Sequence, residues 1–162
     1  KFLFKKIDKK KLNFNKTNIS KNITKILSEN DSDIILNCSG ILGDNTLKYE
    51  NVFNTNFGSN WEIVKYFINL KRINKKITIL FIGSTAYKTG KKNYLLYSSS
   101  KAALHNLYQG AKKILIEKKI KLLIYHPPRM RTKMIKKLSL FERKSAIHPM
   151  LEAKKIINLL DT

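Results

Sequence analysis

The chain has 162 residues, a formal net charge of +22 and a single cysteine, Cys38. This length predicts one domain with a sizeable core, and one cysteine excludes an internal disulfide and favours a reducing compartment such as the cytoplasm. No apolar run approaches the ~20 residues of a membrane-spanning helix, which excludes an integral membrane class for this stretch of sequence.

The positive charge comes mainly from lysines that are scattered in pairs and triplets, and arginine is scarce. Arginine is the side chain best suited to bidentate contacts with phosphates and bases. The composition therefore favours a solvated basic surface over a nucleic-acid site. Binding to a polyanion stays open as the alternative.

The first half of the chain alternates short apolar runs with one amphipathic helix. Strands are predicted near residues 2–4 and 12–14, and a helix over 19–27, where isoleucines and a leucine share one side. Residues 34–36 predict a buried strand that leads into the turn at 37–40. A second helix is predicted over 54–70, with an apolar stripe that indicates core or an interface: Phe57, Trp61, Val64 and Ile68.

The central stretch carries the most specific pattern. An apolar run at 77–82 predicts a strand buried on both faces, and a helix is predicted over 98–117, with Ala103, Leu107, Ala111 and Ile114 at helical spacing. Tyr97 and Lys101 are four residues apart, so on a helix their side chains share a face. A nearby ammonium is expected to lower the pKa of the phenol from about 10, as a general acid for carbonyl reduction requires.

The last third predicts a strand at 121–125, a loop at 126–134 and a proline-started helix from Pro149 to about residue 160. His126 is interpreted as structural because no Asp or Glu is placed to orient it. No metal site is predicted, since His105, His126 and His148 lack partners at useful spacing. The alternation of strands and helices predicts an α/β fold with a parallel sheet.

Ser84 precedes Tyr97 by thirteen residues, and Tyr97-x-x-x-Lys101 is followed by Ala102-Ala103. This pattern resembles the short-chain dehydrogenase/reductase family. The resemblance implies a Rossmann-type three-layer fold and NAD(P)-dependent hydride transfer between a carbonyl and an alcohol. It implies that Tyr97 donates the proton, Ser84 holds the substrate oxygen and Lys101 lowers the pKa of Tyr97. It also implies that Asn56, which by itself reads as a polar residue at a helix start, holds a water that links Lys101 to solvent.

The same resemblance assigns cofactor contacts. Tyr97 and Lys101 bind the nicotinamide ribose, Asn37 ties neighbouring strands and Gly40 lets the backbone approach the cofactor. Pro127 and Thr132 match the loop that reaches the pyrophosphate or carboxamide, although Pro128 stands where the family has glycine. Asn13 matches a position near the adenine.

The glycine-rich phosphate turn of the family is not found in the sequence. Residues 1–162 are therefore expected to be a single partial domain, incomplete at the N-terminus and at the C-terminus, whether as a fragment, a trimmed record or a degenerate paralogue. Lys5 and Lys6 would lie where a 2′-phosphate is recognised, which favours NADP over NAD.

Residues 91–101 and 127–134 look like family members in nucleotide-sugar or surface-polysaccharide synthesis, so a sugar or sugar phosphate and a place in carbohydrate biosynthesis are expected. The family also forms dimers through the two helices at 57–68 and 104–115, which implies a homo-oligomer. Two other classes stay open: a non-catalytic module that binds a polyanion, and an inactive paralogue that serves as a dimer partner.

Overall fold

The computed structural model describes residues 19–43, 46–134 and 144–161, and the chain divides into two compact units. Of the described residues, those up to 127 belong to the first unit, and those from 128 onward belong to the second. The strands expected near 2–4 and 12–14 lie outside the described residues, as do Asn13, Lys5 and Lys6. The expectation of a single domain stays a prediction.

A parallel sheet forms the centre of the first unit. Its strands are β1 (Ile34–Asn37), β2 (Ile77–Ile82) and β3 (Ile120–Tyr125), in the order β1-β2-β3. The three predicted strands are thus confirmed to within one residue at each end. In the middle strand, Ile79, Leu80 and Phe81 are completely buried, as a β-branched and aromatic run covered on both faces should be.

The expectation of a buried first strand is wrong. Leu36 is 45% exposed, and β1 has no fully buried residue. Among the described strands, β1 pairs with β2 alone, whereas β2 is paired on both sides.

Helices pack around this sheet. They are α1 (Ile19–Glu29), α2 (Tyr49–Phe53), α3 (Ser59–Asn69) and α4 (Leu95–Glu117), with a short 3₁₀ turn at Thr85–Tyr87. The second unit contains α5 (Pro149–Asp161), which begins at its proline as predicted, and a parallel bridge between Met130 and Ile147. No helix in the described ranges has both the length and the apolar composition to cross a membrane.

The predicted helix start at residue 54 is wrong, because α2 and α3 are joined by a π-helical turn, Asn54–Gly58. The extra residue per turn breaks the 3.6-residue period, so spacing read from Phe57 onward does not extend back into α2. The turn buries Thr55 and Asn56, and Asn56 therefore lies inside the protein and not at an exposed helix start. The apolar stripe predicted for this segment is only partly core: Val64 is fully buried, whereas Trp61 is 40% exposed.

The buried face of α4 also differs from the predicted one. Leu104, Ala111 and Leu115 are buried, together with three polar residues of the first turns, Ser98, Ser100 and Lys101. Ile114, which was expected on the apolar face, is 44% exposed. Each buried polar side chain has a hydrogen-bonding partner: Ser98 bonds the backbone around the helix start, Ser100 bonds Asn56, and Lys101 bonds the end of β2.

Candidate active site

The candidate site lies where the three strands end. Asn37 closes β1, Ser84 follows β2 after Gly83, and His126 follows β3 directly. The register places Asn37 beside Phe81 and Ile82 beside Tyr125, so the three strand ends share one edge. The carboxyl edge of a parallel sheet is where open α/β folds bind their ligands.

Ser84, Tyr97 and Lys101 converge at this edge. The hydroxyl of Ser84 lies close enough to the phenol of Tyr97 to lower its pKa. The ammonium of Lys101 lies 5.9 Å from the centre of the Tyr97 ring. Lys101 is only 3% exposed, and its Nζ donates to the carbonyl of Ile82, the last residue of β2, over 2.9 Å. A hydroxyl, a phenol and a cation are thus brought together in a poorly hydrated space.

The electrostatics differ from the sequence-based expectation. Burial raises the pKa of Tyr97 above 10.0, and the nearby hydroxyl of Ser84 opposes this rise. The expected lowering by Lys101 is therefore wrong for this structure, because desolvation of the phenolate outweighs the stabilising contacts. Burial also lowers the pKa of Lys101 to about 8. At neutral pH the phenol keeps its proton, which is the form that a proton donor needs.

Asn56 connects three parts of the site. Its Oδ1 accepts from the Ile41 N–H at 2.9 Å, and its Nδ2 donates to the Ile41 carbonyl and to Ser100 Oγ, both at 3.0 Å. Its own carbonyl accepts from Nδ2 of Asn60 at 3.0 Å. The side chain fastens the loop after β1 to α4, one residue before Lys101. Its expected role in holding a water stays a prediction.

Among the described residues, the side chain of Asn37 bonds α3 and the loop after β1, and its expected role of tying neighbouring strands stays a prediction. Its Nδ2 donates to Ser59 Oγ at 3.1 Å and to Asn60 Oδ1 at 2.9 Å, while its Oδ1 accepts from the Ser39 N–H and hydroxyl. These bonds join the end of β1 to α3. The reason is the π turn, which buries Ser59 and Asn60 on the side that faces the strand end.

Gly40 faces the same space as Lys101. A Cβ atom at Gly40 would lie 3.7 Å from Asn56 Oδ1 and 3.8 Å from Lys101 Nζ, both ordinary van der Waals distances. The packing of the described residues therefore does not itself require glycine here. Of the three ammonium protons of Lys101, one has an acceptor among the described side chains and backbone groups. A cation with further donors beside an open glycine fits the ribose diol of a nicotinamide nucleotide.

The remaining predicted cofactor residues are Pro127, Thr132 and Asn13. Pro127 is buried directly after His126 at the end of the first unit. Thr132 is exposed in the second unit, where its N–H donates to the Met130 carbonyl at 2.8 Å. Asn13 lies outside the described residues. The cofactor contacts expected of these three residues stay predictions.

The sequence reasoning missed a pair of histidines. Nε2 of His126 lies 3.0 Å from Nδ1 of His105, and Nδ1 of His126 lies 3.1 Å from both the N and the O of Ser84. The ring of Tyr87 packs on both imidazoles, at centroid distances of 4.1 and 4.2 Å. The sequence does not show this contact, because β3 and α4 bring together residues that are far apart in sequence. One signal was available: His105 follows Lys101 by four residues and so lies on the same face of α4.

Comparison with known proteins identifies the family to which the chain belongs. A family model described as short chain dehydrogenase matches residues 3–143. The 3-oxoacyl-[acyl-carrier-protein] reductase FabG of Buchnera aphidicola subsp. Acyrthosiphon pisum (strain APS) is 30% identical over 128 residues, which cover 75% of this chain and 52% of that protein. The chain thus spans about half the length of this curated relative.

Solved structures share the fold. A short-chain dehydrogenase from Burkholderia cenocepacia J2315 in complex with NADP has a TM-score of 0.76 and 15% identity, over 90% of this chain and 63% of that one. The NADH-dependent reductase A1-R′ complexed with NAD has a TM-score of 0.60 and 21% identity, over 72% of this chain and 55% of that one. These similarities confirm the predicted Rossmann-type α/β fold. Together with the family match, they show that the chain belongs to the short-chain dehydrogenase family.

Proposed function

We propose that the protein is an NAD(P)-dependent oxidoreductase that reduces a carbonyl or oxidises the corresponding alcohol. The observation that carries this proposal is the convergence of the Ser84 hydroxyl, the Tyr97 phenol and the buried ammonium of Lys101 at the carboxyl edge of the sheet. The activity in the name of FabG and the dinucleotides bound by two of the related structures support it.

In the direction of reduction, the chain's task is to supply a proton. Tyr97 is protonated at neutral pH, and its phenol gives a proton to the carbonyl oxygen as that oxygen gains charge. The hydroxyl of Ser84, which lies close to the phenol, donates a hydrogen bond to the same oxygen. The nicotinamide, when bound, supplies the hydride.

The other predicted residues serve this step. The ammonium of Lys101 binds the ribose, and its pKa of about 8 allows it to exchange a proton near physiological pH. Asn56 connects Lys101 to solvent through a bound water. Asn37 and Gly40 keep the end of β1 in place beside the cofactor, and Asn13, Pro127 and Thr132 contact its outer parts.

The substrate and the choice of cofactor are the finer parts of the proposal. The name of FabG supports a 3-oxoacyl group as the carbonyl. The expected sugar or sugar phosphate receives no support from the relatives. The Burkholderia structure binds NADP and A1-R′ binds NAD, so the preference for NADP rests on Lys5 and Lys6 alone. A homo-oligomer and a cytoplasmic location are further expectations of the same proposal.

The test is oxidation of NADPH and NADH by the complete protein, with 3-oxoacyl thioesters and keto sugars as substrates. Tyr97→Phe should lower kcat by about 10²-fold or more, because it removes the transferable proton. Tyr49→Phe is the matched control, since Tyr49 is 55% exposed on α2. Full turnover by Tyr97→Phe would remove Tyr97 from the proton-donor role.

The same protein also distinguishes the polyanion-binding alternative. Tight binding of nucleic acid that weakens steeply with salt, with no binding of NADH or NADPH, would favour a non-catalytic module. Cofactor binding with weak nucleic-acid binding supports the oxidoreductase.

A further inference from the structure

We propose that His126, held by His105, is a positioning residue that orients Ser84 toward Tyr97, and that protonation of His126 releases Ser84. This inference rests on the proposed function of Ser84. It goes beyond that function because it assigns a role to two histidines that neither contact Tyr97 nor belong to the predicted site.

The first step is the contact with the Ser84 backbone. The N–H of Ser84 points at Nδ1 of His126 over 3.1 Å. A backbone N–H has a fixed direction, so the atom that it meets must be an acceptor. On the direction of this N–H we assign Nδ1 of His126 as the unprotonated nitrogen of a neutral ring; an Nδ1–H would instead donate to the Ser84 carbonyl, which is also 3.1 Å away.

The second step is the tautomer that this requires. A neutral imidazole with a bare Nδ1 carries its proton on Nε2. Nε2 of His126 lies 3.0 Å from Nδ1 of His105, which then accepts that proton in a hydrogen bond. His105 thus fixes the tautomer of His126, as the outer partner of an imidazole commonly does.

The third step is the tight placement of the ring. Gly83 precedes Ser84, and a Cβ atom at Gly83 would overlap the His126 imidazole. The stacked ring of Tyr87 lies 4.2 Å from the same imidazole. His126 therefore cannot move away from Ser84 without repacking of its neighbours. Ser84 is held at two atoms: its N–H meets His126, and its hydroxyl oxygen accepts from the Ala86 N–H at 3.2 Å.

Protonation of Nδ1 would reverse this arrangement. Two N–H groups would then face each other, and the new Nδ1–H would turn to the Ser84 carbonyl, which also lies 3.1 Å away. The Ser84 N–H would lose its acceptor and be repelled by the new N–H, and the Ser84 hydroxyl would lose its alignment with Tyr97. Displacements of this kind cost catalysis more than binding.

The charges around His126 keep it neutral at physiological pH. Burial lowers its pKa below 6.5, the Ser84 carbonyl opposes this, and His105, Lys101 and Lys88 lower it further. The groups that face the ring are Tyr87 of the 3₁₀ turn, Lys88 directly after it and, from α4, Lys101 and His105. Tyr108 faces His105 and not His126. Acid should therefore reduce kcat only at pH values below the ordinary range for histidine.

The experiment compares two substitutions of His126 in the complete protein. His126→Asn places an acceptor oxygen near the position of Nδ1, whereas His126→Gln places its amide near Nε2, toward His105. We expect His126→Gln to lose kcat by at least about tenfold with little change in KM for the cofactor. We expect His126→Asn to recover most of that loss and to lack the acid limb of the pH profile. Equal losses in both variants, or full kcat in His126→Gln, would overturn the inference.

A second measurement separates this inference from the proposed function. The ¹⁵N shift of the Ser84 amide should change with the titration of His126 in the wild-type protein and stay constant in His126→Asn. If the wild type shows no oxidoreductase activity, the proposed function fails, but the amide shift still decides the positioning contact. A Ser84 amide that ignores the titration of His126 would overturn the inference.

Discussion

Lys101 is an ionisable side chain that is nearly completely buried. Because burial disfavours its charged form, its pKa is lowered to about 8. Between pH 8 and 10.5 the unfolded chain holds a proton on this lysine that the folded chain has released. Stability therefore rises with pH across this interval, because the unfolded state binds more protons. Below pH 8 the folded state carries the whole penalty, about 3 kcal/mol from the shift in pKa.

We predict that Lys101→Met removes this rise. The free energy of unfolding of the wild type, measured with denaturant from pH 7 to 10, should increase relative to that of the variant by about 2 kcal/mol or more. The range ends at pH 10 because the raised pKa of Tyr97 begins to destabilise the fold above its ordinary value. Lys113→Met, on the exposed side of α4, should follow the wild-type curve. Parallel curves for wild type and Lys101→Met would show that Lys101 is not desolvated.

At this scale the sequence predicts the residues of the site but not their energetics. Tyr97 and Lys101 were found because a helix fixes residues four apart on one face. The upward shift of the Tyr97 pKa could not be predicted, since it depends on burial by elements that are remote in sequence. The bonds from Asn37 to Ser59 and Asn60, and the contact of His126 with His105, likewise depend on how separate elements pack.

Among the elements, strands were easier to predict than the faces of helices. Strands β2 and β3 are short, mainly apolar runs of six residues, and their length and β-branched content favour a strand over a helix. Helix α4 was placed correctly, but its buried face includes Ser98, Ser100 and Lys101, which a hydrophobic pattern assigns to solvent. The π turn at Asn54–Gly58 has no periodic signal because it interrupts the period itself.

The end of α4 provides a test of how this element stops. Lys119 has a φ of 62°, the left-handed conformation that glycine adopts without strain, and its N–H donates to the Ile116 carbonyl at 3.0 Å. We predict that Lys119→Gly raises the free energy of unfolding by about 1 kcal/mol, because it relieves this strain. Denaturant unfolding measures the change.

The matched control for that helix end is Lys113→Gly. Lys113 is exposed in the interior of α4, where glycine should lower stability by about 1 kcal/mol. A loss of stability in both variants would mean that Lys119 does not form a left-handed cap.

At the scale of the whole molecule, the family resemblance implies a homo-oligomer, and the first unit has a surface at which it could form. Helices α3 and α4 border an open groove in the first unit, lined by Phe57, Trp61, Ala102, Ala103, Asn106 and Leu107. Its floor is small and apolar, and Trp61 at its rim is 40% exposed. Exposed aromatic side chains within an apolar patch are typical of surfaces that another chain covers. The homo-oligomer expected from the family resemblance would be formed here.

We predict that Trp61→Glu converts the complete protein from an oligomer to a monomer in sedimentation velocity, because the carboxylate would be buried without a partner at the interface. Ile116→Glu is the control: Ile116 is 65% exposed on α4 and does not line the groove, so the oligomer should persist. The free energy of unfolding of the monomer should show whether the fold survives alone. If Trp61→Glu sediments like the wild type, or if both variants dissociate equally, the α3–α4 groove is not the surface of assembly, and the apolar rim must be explained within one chain.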